Sequence, residues 1–248
     1  MPPTPQETAA GYHALWSRAT INPARRAEAR VVANRILARR DVYAAIERAT
    51  GVPLALFGAI HARESSLRFD RHLHCGDPLT ARTVHVPKGR PKQGTPPFTF
   101  MESAVDALTM PPHSLDQVKD WSVERVLYEA EKYNGWGYLG RVNSPYLWAG
   151  TSEYVAGKYV ADHVYDSRHV DRQLGCVAIM KALADIDPAI AAQLSRRQAE
   201  PPPDVKANET RAARTAKTGG VVLAGGGVVG EAGKFADDVE GSARAATR

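Results

Sequence analysis

Residues 54–67, LALFGAIHARESSL, decide how this chain reads. The run is apolar for most of its length and then changes to Arg63, Glu64, Ser65 and Ser66. Upstream, Thr50-Gly51-Val52-Pro53 closes one element and opens the next, because Gly suits a helix C′ position and Pro a first helical turn. The pattern predicts a buried helix over about 53–67. Leu56, Ile60 and Glu64 are spaced i, i+4, i+8 and share roughly one face, so a carboxylate extends an apolar stripe at the end of that helix. Burial penalises the charged form of a Glu and raises its pKa. A carboxylic acid that survives near neutral pH can protonate a glycosidic leaving oxygen. The competing reading is a Glu that pairs with Arg63 or Arg68 on a solvated helix end.

N-terminal to this stretch, residues 6–50 read as helix, Ala- and Arg-rich with Val31, Val32, Ile36, Leu37, Val42 and Ile46 at mixed 3–4 spacing. C-terminal to it, residues 70–100 hold repeated Gly and Pro around ARTVHV (81–86), which predicts a loop and a short β-hairpin. Helices are expected to resume over 100–109, 114–132, 152–162 and 168–186. The predicted fold class is mainly α, with a small hairpin region. From Gln198 the AEPPPD linker signal and an Ala/Gly/Arg/Thr composition separate a tail, 198–248, from a domain over 1–197 whose core is 51–187.

Hydrophobic residues are 44% of the 248 and charged residues 24%, enough for a sizeable core. The formal charge of +5 favours polyanionic partners such as an anionic envelope surface, or is only a solvated face. The arginines are dispersed and no nucleic-acid motif accompanies them, so nucleic acid is not expected as a partner. The start, MPPTPQETAAGYHALW, has no basic n-region or continuous apolar h-region, which predicts synthesis in the cytoplasm without a signal peptide. The longest apolar tail segment, GGVVLAGGGVVG at 219–230, is too short to span a bilayer. Nearby, GGGVVGEAGKF lacks the second Gly and the Ser/Thr of a phosphate loop.

Asp70 and Asp77 lie in the loop after Glu64, where a second carboxylate could hold a water against the opposite face of a sugar; Asp77, before Pro78, could equally shape a turn. His61, His72, His74, Cys75 and His85 offer zinc-type ligands without H-E-x-x-H or paired C-x-x-C spacing, so no metal and no cofactor is expected. Residues 133–151 concentrate Tyr133, Trp136, Tyr138, Tyr146 and Trp148 among glycines, with Asn134, Asn143 and Thr151. Aromatic platforms with few polar anchors suit a sugar cleft, and they suit an ordinary aromatic core as well.

HARESSLRF (61–69) resembles the Glu-Ser motif of goose-type lysozymes and soluble lytic transglycosylases. The longer string from Arg63 to Pro91, with YNGWGY at 133–138 and SPYLWAGTSEYVAGKYVAD from Ser144, is similar to lysozyme-like, endolysin-like proteins of phages and bacteria. This resemblance covers about residues 50–185. It implies a lysozyme-like fold, Glu64 as catalytic acid, and Tyr133 and Asn134 lining the glycan cleft. It also implies peptidoglycan or a related amino-sugar polymer as substrate, met at the cell wall after release. Ser65, Trp136, Tyr146, Trp148 and Thr151 complete the expected substrate-binding set. HLHCGDPL (72–79) replaces the Gly-Leu-Met-Gln motif of transglycosylases, which leaves hydrolysis and anhydro-sugar formation both open. The alternatives are a chitosanase- or chitinase-like glycosidase and a non-catalytic wall-binding module. The oligomeric state is not legible.

Overall fold

A computed structural model describes residues 1–161 and 163–197; the tail expected from residue 198 onward lies outside the described residues. The described chain is mainly helical: α1 (Pro5–Arg18), α2 (Arg26–Leu37), α3 (Arg40–Thr50), α4 (Leu54–Ser65), α5 (Phe100–Thr109), α6 (Val123–Asn134), the single turn α7 (Pro145–Trp148), α8 (Cys176–Ile186) and α9 (Pro188–Leu194). Strands β1 (Lys158–Ala161) and β2 (Val164–Asp166) form one antiparallel hairpin. Among the described residues no helix is long and apolar enough to cross a membrane.

Helix α4 is the axis of the core. Every residue from Leu54 to Ala62 is buried, and α3, α6 and α8 pack around the helix. Gly58 lets α2 come close, since a Cβ there would meet Ile36 Cγ2 at 3.0 Å. Gly175 does the same between α7 and α8: a Cβ would stand 2.5 Å from the Leu147 carbonyl oxygen. The break before α4 follows the Gly-Val-Pro signal, with Gly51 left-handed at φ 73° as the cap of α3 and Pro53 at the N-cap of α4.

The expected helix over 6–50 is three helices and a 3-10 turn, broken at Asn22-Pro23 and at Arg39. The α1 N-terminus carries a full capping box between Thr4 and Glu7. Two expectations are corrected. ARTVHV forms no strand: the Val84 and His85 N–H groups go to the Asp77 carboxylate and the Thr83 N–H to the Arg90 carbonyl, so no ladder is available. The hairpin begins instead inside the predicted helix over 152–162 and ends before the one predicted over 168–186, with KYVA and VYD pairing Tyr159 with Tyr165. Tyr and Val content outweighed the helical spacing there. Only the second half of 168–186 is helical, as α8.

Candidate functional site

Glu64 stands in the last turn of α4, one residue before its end, and is partly exposed. Its Oε1 accepts a hydrogen bond from the Tyr146 hydroxyl at 2.8 Å. Removal from water pushes its pKa above the ordinary carboxylate value; the Tyr146 bond and the Arg63 charge oppose that without reversing it. A carboxylate in the last helical turn also faces the negative end of the helix dipole, which acts in the same direction as burial.

The solvated-pair alternative does not describe this glutamate, because its neighbouring arginines are engaged elsewhere. Arg63 Nη2 lies 3.1 Å from Asp171 Oδ2, and the guanidinium covers the Tyr146 ring at 4.9 Å. Arg68 holds Asp70 through two bonds of 3.0 and 2.6 Å. Among the described residues Glu64 joins no ion pair.

The end of α4 is fixed from several sides. Gln173 Nε2 donates to the carbonyls of Ala62 and Arg63 at 3.2 and 2.9 Å, satisfying acceptors the last turn would leave open. His61 is wholly buried; its Nε2 donates to the Arg68 carbonyl at 3.1 Å and its Nδ1 accepts from Tyr43 Oη at 2.8 Å. Those partners assign the neutral tautomer, and burial lowers the His61 pKa to about 4. Ser66 and Leu67 then take left-handed conformations, φ 53° and 59°, which turn the chain out of the helix directly after the acid. Asp171, Gln173 and the Arg63 pairing were not read from the sequence. The available signal was Arg63 itself, a cation on an otherwise apolar helix, which needs a buried counter-charge.

The other expected residues divide. Of the two expected tyrosines, Tyr146 bonds Glu64; burial, to which the Glu64 charge adds, raises the pKa of both Tyr133 and Tyr146 well above the ordinary phenol value, so both remain donors. Tyr133 also stacks on His113 with ring centres 4.1 Å apart. Asn134 ends α6, partly exposed, and its amide makes no hydrogen bond among the described residues. Trp136 packs on Tyr128 at 5.1 Å.

Trp148 and Thr151 do not wall a cleft. Trp148 is 1% exposed, leaving no ring face to offer, and the Thr151 hydroxyl donates to the Trp148 carbonyl inside the core. Ser65 is buried and donates to the His61 carbonyl. Asp70 is exposed and neutralised by Arg68, which lowers its pKa. Asp77 is buried with its oxygens occupied: Oδ2 accepts the Val84 and His85 N–H groups at 2.7 and 3.0 Å, and Oδ1 meets His85 Nδ1 at 2.6 Å. Those bonds outweigh burial and hold its carboxyl at about 2, so its geometry is that of a loop anchor.

The histidines considered as ligands each have ring partners of their own. Besides His61 and His85, His72 bonds Ser103 and the Ala81 carbonyl, and His74 bonds Asp106, which Arg90 grips with two bonds of 2.8 Å. Cys75 and Cys176 are free thiols, raised to about 12 by burial. Compared with family models, curated proteins and solved structures, the chain matches none.

Proposed function

We propose that this chain cleaves the glycan strands of peptidoglycan as a lysozyme-type glycosidase, with Glu64 as the general acid. The observation that carries the reading is a carboxyl group held above its ordinary pKa at the end of an apolar helix, with one oxygen taken by Tyr146. With Oε1 accepting from that hydroxyl, Oε2 is the oxygen free to carry the transferable proton. Protonating the glycosidic oxygen lets the bond to the anomeric carbon break, with its electron pair leaving on the departing sugar. Tyr133 and Asn134 supply a phenol and an unengaged amide for the hydroxyl and acetamido groups of an amino sugar.

Because Asp70 and Asp77 are committed to other partners, the attacking group in this proposal is the 2-acetamido oxygen of the substrate. The anhydro and reducing products then differ only in which oxygen captures the anomeric carbon: a sugar hydroxyl or a water. A related amino-sugar polymer would meet the same acid.

Digestion of purified murein sacculi by the full chain, beside Glu64→Gln, tests the proposal. Mass spectrometry should find new reducing or anhydro ends with the wild type, and turnover by the Gln variant should fall by about 10² to 10⁴. Equal turnover by a folded Gln variant, or no cleavage by the wild type, would falsify it.

A further inference from the structure

A cavity of about 490 Å³ lies where the end of α1 and the segment after it meet α2 and the second half of α8. Its size is within the range of small-ligand sites. Neither Glu64 nor Tyr133 nor Tyr146 lines it. The floor is apolar, from Ile21, Ala182 and Ile186, and one wall is the indole of Trp16.

Charge is distributed over this apolar floor in an unbalanced way. Arg26 and Arg30 stand one turn apart on the exposed side of α2, and Lys181 Nζ lies 4.3 Å above the Trp16 ring. One carboxylate, Asp185, shares the lining. Three cations against one anion leave a net positive lining around the cavity. Among the described residues neither Arg26 nor Arg30 makes an ion pair or a side-chain hydrogen bond, whereas Arg25 beside them is tied to Glu28 and to the Arg172 carbonyl. Two unengaged guanidinium forks at the mouth of an apolar hollow match a group with several acceptor oxygens and nearly two negative charges. A phosphomonoester is such a group.

We infer that this cavity is a second binding site, for a ligand that joins a phosphate group to a compact apolar or ring-shaped body. The phosphate lies between Arg26 and Arg30, and the body enters against Trp16 and Ile186. The site owes nothing to Glu64, so it stands whether or not the chain cleaves glycan.

Calorimetric titration of the full chain at low salt with phenyl phosphate, inorganic phosphate and phenol tests the inference. Arg26→Ala/Arg30→Ala serves as the site variant and Arg48→Ala, an exposed arginine on α3, as the control. Phenyl phosphate should bind saturably below about 1 mM, and the double variant should weaken it at least tenfold, about 1.4 kcal/mol. The control should bind as the wild type does, and inorganic phosphate and phenol should each bind at least about tenfold more weakly than phenyl phosphate. Absence of saturation by about 10 mM phenyl phosphate overturns the site. So does an equal loss in Arg48→Ala, which would reduce the effect to net charge, and so does inorganic phosphate binding as tightly as its phenyl ester. Arg30→Glu, read the same way, decides the matter should the double variant not fold.

Discussion

Replacing Tyr146 with Phe removes one oxygen and leaves the ring that packs beneath Arg63. That oxygen donates to Glu64 at 2.8 Å, and its own pKa is raised well above the ordinary phenol value, so it stays a donor throughout the working range. A hydrogen bond to a charged group is worth about 1.5–3 kcal/mol, and one pKa unit corresponds to about 1.36 kcal/mol. The bond favours the ionised carboxylate and opposes the upward push of burial. Its loss should therefore raise the Glu64 pKa further, by less than the full worth of the bond, since the protonated acid also loses part of the contact. A general acid works in its protonated form, so the alkaline limb of the pH–rate profile should move to higher pH with it. The assay is clearance of purified sacculi across about pH 4–9, with Glu64→Gln as the reference that has no such limb. An alkaline limb that stays in place or moves to lower pH in Tyr146→Phe would refute the reasoning. Either result would mean that the hydroxyl does not bond the ionised carboxylate or that Glu64 is not the titrating acid.

Two further outcomes follow from groups around the site. Asp77→Ala should lower stability by about 2–4 kcal/mol, because two backbone N–H groups lose their acceptor, while Asp77→Asn keeps most of its cleavage rate per folded molecule; urea midpoints and sacculus digestion check this, and an activity loss like that of Glu64→Gln would restore Asp77 as a catalytic residue. His61, His74 and His113 are held neutral by burial with pKa values lowered to about 4. Between the ordinary histidine value of about 6.5 and about 4 the unfolded chain binds protons that the folded chain refuses, so melting temperature should fall as pH falls through that window, and His113→Phe, which keeps the stack on Tyr133, should flatten the fall. A melting temperature independent of pH across that window would sink the assignment.

What the sequence disclosed about the fold was carried by α4 and its borders. A long apolar run with Gly and Pro before it has one economical structure, and Leu54–Ala62 are buried accordingly. The hairpin was misplaced because both 81–86 and 158–166 carry β-forming residues, and the choice between them was made by a carboxylate. Asp77 takes the N–H groups that a strand at Val84 and His85 would have used in a ladder. No local propensity contains that information. At the site, the Tyr146 hydroxyl reaches Glu64 from 82 residues away in the chain, yet the same aromatic segment offered Trp148 and Thr151, which the core encloses. An aromatic run does not show which rings face inward; that depends on α7 being a single turn laid against α8 through Gly175.

The acidity of Glu64 and the stiffness of its surroundings have a common origin in where α4 stops. A carboxyl placed earlier in the helix would be enclosed by the core, out of reach of any substrate; one placed beyond Leu67 would be solvated and ionised, as Asp70 is. In the last turn it is desolvated by its neighbours, opposed by the helix dipole, and still partly open. Such an end would ordinarily fray, because its final carbonyls have no helical partners. Here Gln173 takes two of them, His61 ties the following loop back to the helix, and the Arg63–Asp171 pair joins α4 to the segment leading into α8. The Arg63 charge lowers the Glu64 pKa without reversing the effect of burial, and the guanidinium is paired with Asp171, which is buried with it. The ion pair therefore fixes the end of α4 and turns the arginine toward a second carboxylate, as the proposed role of Glu64 requires.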